Sequence, residues 1–187
     1  SIPTGLWIGK FFFKKNLREF GSGNTGTTNT FRVLGKTAGT ATFIIDFLKG
    51  TFATLLPFLL HINGTSPMIF GLLAVLGHTF PIFARFKGGK AVATGSGVFI
   101  FLYPALSALL LVIFFSTLFI TGYVSLGSIL ICLNSIVYLA IFEAGVDKWV
   151  MIVMCIFVIY MHKKNIQRLL NGTENQSKAK LRLGRKK

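Results

Sequence analysis

Acidic residues are scarce in this chain: Asp and Glu number five among 187 residues, against twenty Lys and Arg. Only Glu19 and Asp46 lie near the glycine-rich segments of the chain, and no His-x-x-x-x-Asp arrangement follows any of the three histidines. The sequence therefore offers no obvious strong-base dyad.

Cysteine is rarer still, with two residues, and internal repeats and low-complexity blocks are not evident. Cys132 and Cys155 each lie inside an apolar run, without CxxC spacing and without a neighbouring histidine. This setting is typical of buried small hydrophobic residues and argues against a metal or redox role.

Apolar residues are abundant instead. They make up 52% of the chain, only 13% is charged, and the mean hydropathy is +0.68. A soluble core of this size cannot hide so much apolar surface, which indicates a polytopic membrane protein. The apolar runs are continuous rather than alternating, so the spans are predicted to be helices and the fold class to be all-α.

The apolar runs predict seven transmembrane helices. The first has only about ten residues before Lys10, about half of what a span needs, and is expected to lack its beginning. We expect residues 1–170 to form one transmembrane domain and residues 171–187 a basic cytoplasmic tail. The other six segments are predicted at residues 40–60, 67–86, 92–102, 105–121, 124–142 and 149–161.

Basic residues fall between the apolar segments, at 10–36, 85–90 and 163–187, rather than along one folded face. This is the positive-inside pattern, and it argues against nucleic-acid binding. If the first helix runs from outside to inside, strict alternation of the spans places both glycine-rich segments and the tail in the cytoplasm. His61, Glu143, Asp147 and Lys148 are predicted to lie outside.

Two basic, glycine-rich segments are candidate phosphate sites. The first glycine-rich segment is residues 21–29, Gly-Ser-Gly-Asn-Thr-Gly-Thr-Thr-Asn, followed by Arg32; the second is residues 87–90, Lys-Gly-Gly-Lys. Glycines let backbone N–H groups turn toward an anion, and a helix start adds a positive dipole end. The candidate residues are Gly21, Ser22, Gly23, Asn24, Thr28, Asn29, Arg32, Lys87, Gly88, Gly89 and Lys90.

Close helix packing is the alternative explanation for these glycines. It leaves Ser22, Asn24 and Asn29 unexplained. We expect Thr28 or Asn29 to be an N-cap, which would align Asn29, Arg32 and Lys36 on one helix face. Neither segment is a Walker motif, because Thr30 and Ala84 occupy the positions where the earlier glycine is required.

Several polar residues within the apolar segments are further candidates. His78 is either a packed histidine or a catalytic one, because a histidine in a membrane helix needs a partner or a wet cavity. His162 and Asn165, three residues apart at the end of the last span, are expected to contact substrate. Asp46 and Lys49 are expected to form an ion pair that locks helices, rather than a catalytic pair.

With so few acids, the chemistry is expected to begin from an activated leaving group. Positioning and charge neutralisation would then supply most of the rate enhancement.

Taken together, these segments resemble one known family, the bacterial acyl-phosphate:glycerol-3-phosphate acyltransferases (PlsY). The likeness covers nearly the whole chain, including the opening Ser-Ile-Pro-x-Gly. One departure is Ala91, where the family usually has glycine. The matching residues are 21–29 with Arg32, Asp46 to Gly50, Gly77 and His78, Lys87 to Thr94, Tyr123 to Leu126, and His162 with Asn165.

The resemblance implies a seven-helix enzyme of the bacterial inner membrane with its active site facing the cytoplasm. It would move an acyl group from acyl phosphate to the 1-hydroxyl of glycerol 3-phosphate, giving lysophosphatidic acid and phosphate. No cofactor, metal, nucleic acid or obligate protein partner is implied; membrane lipid is the surrounding partner, and a monomer is expected.

Within that reading, Ser22, Arg32, His78 and Lys90 are the predicted catalytic residues. The remaining candidates would bind substrate phosphate, and the acyl chain would lie in an apolar groove. The group that removes the hydroxyl proton is either His78 or a substrate phosphate, and we favour the phosphate.

A transporter of phosphate esters is the competing function, because intramembrane charges and a basic mouth also serve permeation. The lack of related halves and the gathering of polar groups at one membrane face favour the enzyme.

Overall fold

The computed structural model describes residues 1–145 and 147–177, so most of the predicted basic tail, residues 178–187, lies outside the described residues. Within the described residues every regular element is a helix, as the continuous apolar runs predict. Short 3-10 turns lie at Leu17–Glu19 and Ile82–Ala84. The α-helices are α1 (Thr4–Phe13), α2 (Thr27–Leu34), α3 (Lys36–Leu59), α4 (Pro67–Thr79), α5 (Val92–Leu102), α6 (Pro104–Thr121), α7 (Val124–Phe142), α8 (Asp147–Met161) and α9 (Lys163–Leu170).

Four helical segments of the described chain are long and apolar enough to cross a membrane: Lys36–Leu59, Pro67–Ala84, Pro104–Thr121 and Val124–Phe142. A fifth results if α8 and α9, which meet at a 54° bend, form one span. α5 is apolar but shorter than a span. The all-α membrane fold is confirmed, whereas seven spans are not.

The chain divides into two compact units, Ser1–Pro104 (the first unit) and Ala105–Lys187 (the second unit). In the first unit, α3 packs against α1, α2, α4 and α5. α3 and α5 approach closely, because a Cβ atom on Gly50 would collide with the carbonyl oxygen of Thr94 and one on Gly97 with that of Phe47. Small residues commonly allow such close helix contacts in membranes.

The second unit contains α6 to α9. α7 packs against α8 and contacts α9. Cys132 of α7 and Cys155 of α8 are free and buried, as their apolar surroundings predict. α9 begins directly after the bend at His162.

The start and end of α2 correct two details of the sequence prediction. Gly26 is the N-cap of α2, rather than Thr28 or Asn29. Gly35 then adopts φ 90°, in the region that favours glycine, and ends the helix. Lys36 therefore begins α3, so it does not continue the α2 face that carries Asn29 and Arg32.

Candidate functional site

Asn29 organises the first glycine-rich segment. Its side chain is 1% exposed, and its Oδ1 accepts hydrogen bonds from the Ser22 N–H at 2.9 Å and from Arg32 Nη1 at 3.2 Å. Its Nδ2 lies within donating distance of the carbonyl oxygens of Leu17, Phe20 and Asn24, at 2.9 to 3.2 Å. Asn29 thus fixes the shape of the segment and the direction of Arg32.

The exposed edge of the same segment carries the groups that can meet an anion. Ser22, Thr28 and Arg32 are exposed. The hydroxyl of Thr27, the first residue of α2, has no hydrogen-bond partner among the described residues, but it is buried and does not belong to the exposed edge. A helix start also leaves its first N–H groups outside the helical ladder. This edge therefore offers uncommitted donors beside a cation.

In the second glycine-rich segment, two backbone donors are already used. The Gly88 N–H donates to the Thr79 carbonyl at 2.9 Å, and the Gly89 N–H donates to the His78 carbonyl at 3.3 Å. These bonds fold the segment back onto the end of α4. Lys87 is exposed and Lys90 is half-buried, so the lysines are the groups best placed to neutralise an anion.

The two glycine-rich segments meet within the first unit. A Cβ atom added to Gly26 would lie 3.9 Å from the Cα of Gly89. Gly89 in turn lies against the His78 ring, since its own Cβ would collide with His78 Nε2. The structure thereby brings together segments separated by about sixty residues in sequence.

His78 is buried between this contact and α3. Its Nδ1 lies 3.2 Å from the Thr94 hydroxyl and 3.6 Å from Asp46 Oδ1. His78 is 8% exposed and Asp46 is 1% exposed. The ring therefore directs Nδ1 at polar partners and Nε2 at the second glycine-rich segment.

Asp46 is the centre of a polar cluster between helices. Its Oδ1 accepts from Lys49 Nζ at 2.6 Å and from the Thr4 hydroxyl at 2.8 Å, so the predicted ion pair is confirmed. Its proximity to His78 is a pairing that sequence reasoning missed. The two residues lie on different helices, and no local spacing could reveal an acid and an imidazole that meet only through α3–α4 packing.

His162 and Asn165 lie at the bend between α8 and α9 in the second unit. His162 Nδ1 lies 2.8 Å from the Val158 carbonyl, which can only accept, so Nδ1 carries the hydrogen. Both side chains are buried, 3% and 4% exposed. The Asn165 N–H donates to the His162 carbonyl at 2.8 Å, so the two residues are held in one turn, as their spacing predicts.

Glu174 is a second residue that sequence reasoning missed. Its carboxylate accepts from Asn165 Nδ2 at 2.7 Å, Ser125 Oγ at 3.0 Å and Arg168 Nε at 2.7 Å. Burial opposes ionisation, but the hydrogen bonds from Arg168, Asn165 and Ser125 hold the pKa of Glu174 below its usual value. A carboxylate thus ties α7 and α9 together.

The candidate catalytic residues Ser22, Arg32, His78 and Lys90 and the phosphate candidates Gly21 to Asn29 and Lys87 to Gly89 all belong to the first unit. Among the described residues, no group of three or more His, Cys, Asp or Glu side chains could hold a metal ion. The site in the first unit is therefore built from cations, hydroxyls and backbone groups around one buried Asp–His contact.

Comparison with known sequences identifies the family. The sequence profile of the family described as glycerol-3-phosphate acyltransferase matches residues 1–172. A glycerol-3-phosphate acyltransferase of Streptococcus sanguinis (strain SK36) is 59% identical, with 94% of this chain and 85% of that protein covered. One from Streptococcus pneumoniae (strain Taiwan19F-14) is 53% identical, covering 94% and 86%.

Two crystal structures of PlsY (YgiH), an integral membrane glycerol 3-phosphate acyltransferase, are also similar. The glycerol 3-phosphate form has 35% identity and a TM-score of 0.85, covering 92% of this chain and 88% of PlsY. The lysophosphatidic acid form has 36% identity and a TM-score of 0.83, covering 95% and 89%. Because the family profile matches most of the length of this chain, the chain belongs to the glycerol-3-phosphate acyltransferase family.

Proposed function

We propose that this acyltransferase moves a fatty acyl group from acyl phosphate to the 1-hydroxyl of sn-glycerol 3-phosphate. The products are lysophosphatidic acid and inorganic phosphate. The observation that carries the proposal is the contact between the two basic glycine-rich segments at Gly26 and Gly89. Both substrates bear phosphate, and two adjoining basic segments suit a reaction that must hold two phosphates together.

Each part of the site has a role in this proposal. Arg32, Lys87 and Lys90 neutralise phosphate charge. Ser22, Asn24 and the free N–H groups at the start of α2 hold phosphate or the oxyanion that develops on the acyl carbonyl. Thr28 lies on the exposed edge, and the glycines of both segments let the backbone approach the substrate: Gly21, Gly23, Gly88 and Gly89. His162 and Asn165, in the second unit, are proposed separately as substrate contacts.

The reaction needs no covalent enzyme intermediate. The 1-hydroxyl oxygen attacks the acyl carbonyl carbon and forms the new ester bond, while the carbon–oxygen bond to phosphate breaks. The hydroxyl proton leaves on a substrate phosphate oxygen. A mixed anhydride is an activated donor, so positioning and charge neutralisation can supply most of the acceleration.

His78 is the alternative proton acceptor, and replacing it separates the two routes. With a phosphate base, His78→Ala retains most of its turnover, provided that the fold is intact. A loss of several orders of magnitude in kcat, with an unchanged melting temperature, would show that His78 is the base.

The proposed setting is the bacterial inner membrane, with the glycine-rich segments on the cytoplasmic side, in a monomer that crosses the membrane seven times and uses no cofactor. The basic segments between apolar runs support this orientation. The domain assignment, residues 1–170 with a basic tail at 171–187, stays a prediction.

The direct test is acyl transfer to labelled glycerol 3-phosphate by the purified protein. Acyl phosphate, acyl-CoA and acyl carrier protein loaded with the same chain are offered in parallel. Turnover with acyl phosphate alone is expected. Turnover with a thioester donor would contradict the proposal that acyl phosphate is the donor. Binding of glycerol 3-phosphate without any turnover would favour transport of phosphate esters.

A further inference from the structure

Arg18 joins the two glycine-rich segments through its guanidinium group. One nitrogen, Nη2, donates to the carbonyl oxygen of Ala84 at 2.6 Å and to that of Lys87 at 2.7 Å. Both bonds are short, as expected when the donor is charged. The contact spans 66 and 69 residues of sequence, so Arg18 cross-links the chain before the first segment to the start of the second.

The turn that Arg18 holds has a disfavoured backbone. Arg85 and Phe86 lie between the two carbonyls and have φ 54° and 57°, in the left-handed region that residues with a Cβ atom seldom adopt. The Lys87 N–H closes this turn by donating to the Ala84 carbonyl at 3.2 Å. Arg18 thus forms hydrogen bonds to both ends of a turn whose backbone conformation the residues in it do not favour by themselves.

The other side of the contact is also fixed. Arg18 lies in the 3-10 turn Leu17–Glu19, where Leu17 is fully buried. The Leu17 carbonyl accepts from Asn29 Nδ2 at 3.2 Å, and Asn29 directs Arg32 and the Ser22 N–H. A path of hydrogen bonds therefore leads from the Lys87 carbonyl, through Arg18 and its turn, to the first segment.

We propose that Arg18 is a positioning residue that sets the second glycine-rich segment against the first. It acts through Lys87 and Lys90 rather than by touching substrate, and the inference rests on the proposed acyl transfer between two phosphate-bearing substrates. Arginine is needed because one nitrogen of a planar guanidinium carries two hydrogens in fixed directions, which a lysine ammonium on a flexible stem does not reproduce.

The test compares Arg18→Gln with Arg18→Lys and with Lys15→Gln. Lys15 is exposed and three residues away, and its ammonium lies over the face of the Phe20 ring, so Lys15→Gln removes the same charge without the cross-link. For each variant we would measure kcat, the KM for acyl phosphate and for glycerol 3-phosphate, the melting temperature in detergent, and glycerol 3-phosphate binding by calorimetry.

Arg18→Gln is expected to raise at least one substrate KM by about tenfold while kcat falls less, at a melting temperature close to wild type. Arg18→Lys should recover part of this loss, and Lys15→Gln should behave like wild type. Calorimetry should also show that Arg18→Gln binds glycerol 3-phosphate more weakly than wild type. This binding measurement tests the role of Arg18 even if the wild-type protein shows no turnover.

Three results would overturn the proposal. Arg18→Gln could match Lys15→Gln, which would leave only a general charge effect. Arg18→Lys could match wild type, which would show that the fork geometry is not needed. If Arg18→Gln lowers the melting temperature but leaves both KM values unchanged, the role of Arg18 is structural. If Arg18→Gln does not fold, Arg18→Lys decides the question by the same KM comparison.

Discussion

Single side chains in this protein set the shape of whole loops. Asn29 is predicted from sequence as a phosphate ligand. In the structure, both polar atoms of its buried side chain lie within hydrogen-bonding distance of protein groups: the first glycine-rich segment, the 3-10 turn before it, and Arg32. Asn29 therefore arranges its neighbours in the proposed phosphate site. In the second glycine-rich segment, the absence of a side chain at Gly89 leaves room for the His78 ring.

Gly89→Ala is expected to lower kcat/KM by at least about tenfold. The new Cβ atom would collide with His78 Nε2, so the second segment must move away from the ring or displace it. Steady-state kinetics with acyl phosphate and glycerol 3-phosphate checks this. Gly95→Ala is the matched control, because a Cβ atom there has nothing within 4 Å; equal effects of the two changes would contradict the steric explanation.

Ala91→Gly is expected to stabilise the protein. Ala91 is the N-cap of α5 with φ 59° and ψ 17°, the left-handed region. Loss of the Cβ atom relieves roughly 1–2 kcal/mol of strain, and the freer unfolded chain takes back about 0.5–1 kcal/mol. The melting temperature in detergent should rise slightly. Ala53→Gly, inside α3, should lower the melting temperature. A lower melting temperature for Ala91→Gly would contradict the backbone strain at Ala91.

At the scale of elements, the helix that follows the bend at His162 is joined to α7 by a carboxylate that follows α9 in sequence. Glu174 receives donors from α7 and α9 on one carboxylate group. It thereby fixes the Asn165 amide. We therefore expect the stability of the second unit to depend on pH.

The stability of the second unit is expected to fall in acid through Glu174. The hydrogen bonds lower its pKa in the folded state. Its stabilising contribution is therefore complete above the unfolded value of about 4.3, and is lost as pH falls through the lower folded value. Melting temperatures measured from about pH 7 to about pH 3 should show this loss.

Glu174→Gln should be less stable at neutral pH by roughly 1–2 kcal/mol and should lose less stability in acid. Glu143→Gln is the matched control, because it makes the same charge change at the C-cap of α7. An acid profile of Glu174→Gln identical to wild type would contradict the role of this carboxylate.

At the scale of the whole molecule, the placement of charge predicts the orientation in the membrane. The basic residues 10–36 and 85–90 flank the site of the first unit, whereas His61 lies in the connection after α3. Large apolar side chains such as Phe52, Leu73 and Val112 are exposed along the helices, which suits contact with lipid.

Cysteine labelling in intact bacterial cells tests the orientation. Lys15→Cys and Lys163→Cys, in a background with Cys132 and Cys155 replaced by Ser, should resist a membrane-impermeant thiol reagent until the cells are opened. His61→Cys and Asp147→Cys should react at once. The reverse pattern would place the site outside, and reaction of all four positions would contradict the alternation of spans.

The sequence by itself determined the all-α membrane class and most helix positions, because continuous apolar runs and their flanking basic residues are local features. α5 at Val92–Leu102 and α7 at Val124–Phe142 coincide with predicted segments. The Asp46–Lys49 pair was equally readable, because a spacing of three residues on a helix brings side chains together. The glycine-rich segments also predict which residues meet phosphate, and that assignment stays a prediction.

Only the tertiary structure decided which of these parts meet. The contact of Gly26 with Gly89, the placement of Asp46 beside His78, and the bonds from Arg18 to Ala84 and Lys87 join residues from different helices and loops. Such contacts depend on how close α3, α4 and α5 pack, and therefore on side-chain volumes over the whole first unit. No period or spacing within one segment records that information.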